Sequence, residues 1–197
     1  MSLTKILYKL KLNKDINYTQ YLRSLKNLSE LDIIRHSYDL QTGSYLKRFF
    51  AREKKYIQYT NEISQVINSN FKNFRTMIDC GCGEMTVSYL IIKRLISVKK
   101  FFLCDISLNR MMEGKKFLRK KLNKTLTNKL NFFCTSLDKI PFKDNSIDLI
   151  FTSHALEPNK IKSINIIKEL YRISKKGLIF CEPDYTTASR EQKKRMK

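Results

Sequence analysis

The sequence predicts an α/β fold, a doubly wound and mainly parallel sheet preceded by a helical extension. Three observations carry this. Five short apolar runs lie after residue 75, at Thr76–Cys80, Phe101–Cys104, Leu130–Cys134, Asp148–Thr152 and Gly177–Cys181. Helical stretches lie between most of them, at Met85–Ile96, Ser107–Leu122 and Lys160–Ile173. Before residue 75 there is helical periodicity and no strand-like alternation. Apolar strands that do not alternate belong to sheets covered on both faces. Right-handed crossovers then restrict the winding to a doubly wound order.

In the N-terminal part, Leu3, Ile6, Leu7 and Leu10 recur at i, i+3, i+4 and i+7, with Lys5, Lys9 and Lys11 on the other face. That is a short basic amphipathic helix, expected to pack on its own domain. Tyr18–Leu31 and Phe49–Ile67 also read as helices, and Tyr38–Tyr45 between them as a polar segment containing a turn. The organisation expected is a helical cap over residues 1–74 and a sheet domain over 75–197.

Composition narrows the class. Of 197 residues, 42% are hydrophobic and 11% aromatic, with 5 Gly and 3 Pro, which excludes a disordered or collagen-like chain. The formal charge of +21 raises nucleic acid as a partner. The count of 28 Lys against 11 Arg, with 14 Asn, reads instead as compositional bias, because phosphate recognition favours the arginine fork. Lys115, Lys116, Arg119, Lys120, Lys121, Lys124 and Lys129 read as a solvated helix face.

The five Cys form no C-x-x-C and share no zinc spacing with the two His, so no metal centre is expected. No apolar run approaches the ~20 residues of a membrane-spanning helix, and lysines interrupt the start of the chain. The location expected is cytoplasmic.

The first strand runs into Asp79-Cys80-Gly81-Cys82-Gly83-Glu84-Met85. In doubly wound sheets ligands bind beyond the carboxyl ends of the strands. Two glycines there let backbone approach a ligand, and the following helix offers free N–H groups. Asp105 ends the second strand, 22 residues after Gly83, where a carboxylate accepts hydrogen bonds from ribose hydroxyls. The dinucleotide fingerprint fails, since Thr86 stands where its third glycine would fall and Asp79 would face a pyrophosphate. A ribose-bearing ligand with positive charge and no phosphate fits, and S-adenosylmethionine is such a ligand.

Asp79-Cys80-Gly81-Cys82-Gly83 resembles the D-x-G-x-G motif of class I S-adenosylmethionine-dependent methyltransferases. Phe102–Ser107, followed by Met111, is similar to that family's second motif. Ile140–Ile150, reading I-P-F-K-D-N-S-I-D-L-I, resembles the signature of the ubiquinone/menaquinone-biosynthesis (type 11) methyltransferases. The resemblance spans residues 75 to 185. It implies a Rossmann-like methyltransferase fold in which Asp79, Gly81 and Gly83 line the methionine side of the cofactor. Asp105 would hold the ribose, Ile106 would pack on the adenine, Ser136 and Leu137 would meet the adenine edge, and Thr152 would border the cofactor near the substrate.

Three departures stand out. Met85 replaces a third glycine, and Ser136 replaces an acidic residue, with Asp138 two positions on. The twelve residues Thr186–Lys197 are too few for the family's last two strands, so those strands are expected to be missing and a partner or dimer to cover strand five.

Methyl transfer mainly requires alignment of nucleophile and methyl group, and a hydroxyl nucleophile gains from a general base. The segments Ser153–Asn159 and Glu182–Tyr185 lie at the carboxyl edge. His154, of the side-chain type that titrates nearest neutrality, and Glu157 are the catalytic candidates. Tyr38 and Tyr45 are candidates for a lid, as N-terminal helices form one in similar enzymes, and the expected place of His36 is the surface. The expected activity is methyl transfer to a small polar acceptor such as a sugar or another metabolite. The alternatives are an RNA methyltransferase and a cofactor-binding assembly module without turnover.

Overall fold

All five apolar runs become strands of one sheet: β1 (Thr76–Cys80), β2 (Lys100–Asp105), β3 (Leu130–Cys134), β4 (Ile147–Ser153) and β5 (Ser174–Cys181). The computed structural model describes residues 2–13, 16–188, 190 and 193, the side chains at 160–162 excepted. Strand order is β3-β2-β1-β4-β5 and every pair is parallel. The winding therefore reverses between β1 and β4, the switch point at which such sheets open a crevice. Register puts Cys80 beside both Cys104 and Thr152, so β1, β2 and β4 finish at one edge.

Alternating side chains feed two cores. Met77, Phe101, Leu103, Leu149 and Phe151 face one cluster, and Ile78, Cys80, Cys104 and Ile150 face the other. The first is covered by α4 (Ser44–Ala51), α5 (Glu53–Asn70), α6 (Thr86–Arg94) and α7 (Leu108–Lys121). The second is covered by α9 (Ser163–Ile173), through Ile166, Leu170 and Ile173. A short α8 (Lys124–Thr127) precedes β3.

Several helix boundaries depart from the periodicity. Tyr18–Leu31 is not one helix: α2 (Tyr18–Ser24) stops, and α3 (Glu30–Leu40) begins after Ser29, whose hydroxyl accepts the Asp32 N–H. That cap starts a new helix where apolar spacing alone suggested continuity. With α1 (Leu3–Leu12), these helices enclose a small core of Leu10, Leu22 and Ile33. Phe49–Ile67 breaks at Arg52, which lets α4 send Phe49 into an edge-to-face cluster with Tyr56, Tyr89 and Phe117. The polar Tyr38–Tyr45 segment contains only a tight turn at Gln41–Gly43. Its first residues are helical because α3 runs on to Leu40. Lys160 lies in a 3₁₀ turn (Glu157–Lys162), and α9 opens at Ser163. His36 is half-buried rather than a surface residue.

The I-P-F-K-D-N-S-I-D signature does structural work. Arg172 of α9 donates to the Ile140 and Phe142 carbonyls, to Asp144 at 2.7 Å and to both oxygens of Glu169, clamping the β3–β4 connection to the helix. Asp148 Oδ2 accepts the N–H groups of Arg75 and Thr76, joining β4 to the start of β1. Beyond Cys181 no strand follows among the described residues, and β5 pairs with β4 alone there.

Candidate active site

The turn after β1 alternates left-handed residues: Gly81 at φ +82°, Gly83 at +51° and Met85 at +59°. Glycine takes such angles freely, whereas a buried methionine is strained there by about 1–3 kcal/mol. Met85 thus takes a left-handed angle at the position where the family has its third glycine. The Gly81 and Cys82 N–H groups both donate to the Cys104 carbonyl, at 2.8 and 3.0 Å. The Gly83 N–H donates to Asp105 Oδ2 at 2.8 Å, and the Ser107 N–H to Asp105 Oδ1 at 2.8 Å. The glycine loop and the Asp105 carboxylate thus converge on one spot.

The two carboxyl groups of this edge differ in their surroundings. Asp79 is buried and accepts the Ser88 hydroxyl at 2.6 Å; burial pushes its carboxyl up to about 7, against the lowering effect of that hydrogen bond. Asp105 is also raised by burial, while Arg110 and the two backbone N–H groups pull it back down.

Leu137 is buried close to Gly81, Ile106 is half-buried, and the Ser136 hydroxyl donates to Asp138 at 2.5 Å. Of the five cysteines, Cys80 and Cys104 are buried and Cys82 and Cys181 half-buried. Cys134 is exposed because it ends a strand on the sheet's outer edge.

The turn after β4 meets this loop directly. A Cβ on Gly81 would stand 2.5 Å from the Ala155 Cβ. Glu182, just past β5, accepts the Thr152 hydroxyl at 2.8 Å and the Ala155 and Leu156 N–H groups at 3.1 Å each. Thr152 is fully buried in this tie. His154 holds a left-handed φ of +55°, its N–H donates to the Cys181 carbonyl, and its side chain is exposed. Glu157 opens the 3₁₀ turn and acts electrostatically on Tyr38. Tyr59 of α5 reaches the same turn at 3.0 Å from Ser153 Oγ, and burial pushes its phenol up to about 12.

The N-terminal helices close over the loop. The buried Glu84 carboxylate accepts the N–H groups of Gly43 and Leu46, at 2.9 and 2.7 Å, and so caps α4 from outside the helix. The Ser107 hydroxyl donates to Asp39 at 2.6 Å. The Arg110 guanidinium lies between Tyr38 and Tyr45, 4.8 and 4.2 Å from the ring centres. Glu84, Arg110 and the hub role of Glu182 escape sequence reasoning. Glu84 and Arg110 carry no spacing rule, and Glu182 reads only as part of a polar segment.

The donor set fits the cofactor inferred from the motifs. Asp105 accepts two N–H groups, and a carboxylate has about four lone-pair sites, which leaves capacity for ribose hydroxyls. Among the described residues no group of three or more metal-ligating side chains gathers, and no helix is long and apolar enough to cross a membrane.

The family model for a methyltransferase domain matches residues 78–181, more than half of the chain. The chain belongs to this methyltransferase-domain family. Its cofactor is S-adenosylmethionine, and the fold is that of the class I enzymes. Among curated proteins none matches.

Solved structures share the fold. Magnesium protoporphyrin IX methyltransferase from Synechocystis PCC 6803 with bound S-adenosylmethionine superposes at TM-score 0.59, with 17% identity over 78% of this chain and 76% of that one. The complex of the Haloferax volcanii Trm112 methyltransferase activator with a methyltransferase gives 0.54 at 18% identity, over 73% and 57%. The cyclase SpnF gives 0.51 at 16% identity, over 60% and 43%. The chain thus spans about half the length of these last two.

Proposed function

We propose that this chain binds S-adenosylmethionine at the β1–β2 edge and transfers its methyl group to a small polar acceptor. The bond from Gly83 N–H to Asp105 Oδ2 carries this reading, because it brings the loop that would approach the cofactor and the carboxylate that would hold its ribose to one place. In the same reading Asp79 and Gly81 line the methionine side, and Ile106, Ser136 and Leu137 border the adenine. Thr152 acts from within the wall, by holding Glu182.

When bound, S-adenosylmethionine supplies a methyl group already activated by a sulfonium, so the protein's task is alignment and exclusion of water. Tyr38, Tyr45 and Glu84 seat the helical lid on the loop. The acceptor enters between the turn after β4 and Glu182–Tyr185. There His154, with its exposed imidazole, takes the acceptor proton, and Glu157 orients the acceptor. A partner chain covering the outer edge of β5, where Phe180 is exposed, belongs to the same reading.

A basic groove lies elsewhere. A groove of about 560 Å³ is lined by Lys72, Arg75 and Lys99, at the amino ends of β1 and β2. A five-residue strand is about 16 Å long, so polyanion held there would be a strand's length from the loop, which favours the small acceptor.

Calorimetry with S-adenosylhomocysteine tests the cofactor site. Wild type should bind, and Asp105→Ala should bind at least tenfold more weakly. Equal affinities, or no binding by either, would defeat the reading.

A further inference from the structure

Arg110 has an environment that its own fold does not satisfy. It is 6% exposed, in the first turn of α7. A guanidinium carries five N–H donors in a planar fork, and among the described residues its side chain makes no hydrogen bond at all. Its Nε is buried without an acceptor. The nearest carboxylate, Glu84, stands 3.6 Å from that Nε, beyond hydrogen-bond distance, and already receives the Gly43 and Leu46 N–H groups. Tyr38 and Tyr45 cover the guanidinium with ring faces, which attract a cation but accept no directed pair of hydrogen bonds. Burying such donors unpaired is costly.

The fork is also placed against the ligand loop. A Cβ on Gly83 would lie 2.6 Å from Arg110 Nη2, so the guanidinium borders the residue whose N–H meets Asp105. A ligand resting on Gly83 therefore meets a rigid two-pronged donor beside it. Carboxylate and phosphate are the anions whose geometry matches that fork, and the ligand read from the motifs has a carboxylate and no phosphate. S-Adenosylmethionine and its demethylated product carry one such group, on the methionine end, and no other anion.

We infer that Arg110 is a carboxylate anchor of this site, binding the methionine carboxylate of the cofactor while Asp105 holds the ribose. The inference rests on the cofactor reading above and adds a ligand-binding residue that the motifs do not contain. The two tyrosines preorganise the fork, and Glu84 balances its charge without occupying it.

The test is calorimetric, with S-adenosylhomocysteine and the analogue that lacks only the α-carboxylate, on wild type and on Arg110→Met. A charge-assisted, two-pronged pair should make wild type prefer the carboxylate-bearing ligand by roughly ten- to a hundredfold. Arg110→Met should bring the two ligands within about twofold, and Arg110→Lys, which keeps charge without the fork, should fall between. Melting curves establish that each variant is folded; if the methionine variant is not, the wild-type preference and its reduction in Arg110→Lys decide. Equal binding of both ligands by wild type, or an undiminished preference in the folded variants, overturns the anchor and leaves the cofactor site standing. If wild type binds neither ligand, the cofactor reading falls, and the anchor with it.

Discussion

Two turns at the same sheet edge are held in the same way and serve different ends. After β1, backbone N–H groups of Gly83 and Ser107 converge on Asp105; after β4, those of Ala155 and Leu156 converge on Glu182. In each case a carboxylate at the end of a neighbouring strand fixes the turn. The first turn relies on glycines with left-handed angles and lies under the N-terminal helices. The second carries a non-glycine, His154, at φ +55° and presents its imidazole outward. The contrast separates a covered turn of left-handed backbone from an open turn that displays a side chain.

The largest perturbation of this contrast should come from Gly81→Val. The residue is left-handed, and its new side chain would overlap Ala155. Backbone strain and overpacking together should cost about 2–5 kcal/mol, seen as a melting point lowered by roughly 5–15 °C, with loss of S-adenosylhomocysteine binding. An unchanged melting point would mean that the two turns are not in contact.

Asp79→Asn tests the charge balance of the first turn. The buried carboxyl is raised from 3.8 to about 7, so the stability it contributes is complete below pH about 4 and is lost as pH rises to about 7. Wild type should therefore lose up to about 4 kcal/mol over that window from this group, at about 1.4 kcal/mol per pKa unit. The asparagine variant, still able to accept the Ser88 hydroxyl, should not. Parallel pH profiles of melting temperature in the two proteins would remove the claim.

Glu182→Ala should have the smallest effect, about 2 kcal/mol, because it removes hydrogen bonds without adding backbone strain or overpacking. Thermal melts should show a drop of a few degrees, with S-adenosylhomocysteine affinity within about threefold of wild type. If this variant loses the ligand as completely as Asp105→Ala, the division of labour between the turns is wrong.

The legible part of the site was the part encoded by local chemistry. Gly81 and Gly83 mark a turn wherever they occur after a strand, and Asp105 stands at a spacing set by one strand-helix-strand unit. The lid was only partly legible: Tyr38 and Tyr45 stood out as a polar segment, but Glu84 capping α4 across 38 and 41 residues could not be seen, because no local pattern marks a helix cap supplied by a distant residue. The helix break at Ser29 was missed for the opposite reason. The signal was local, a serine cap, but apolar spacing outweighed it.

By itself, the sequence determined the layered architecture, all five strands, the family and the cofactor, since each follows from short-range periodicity and from motifs whose spacing one crossover sets. Only the tertiary structure decided which charges meet. Parallel pairing brings residues from separate strands and helices to one edge, so the contacts of Arg110, Glu84 and Glu182 depend on register and helix docking, and neither is written in the neighbourhood of any one residue.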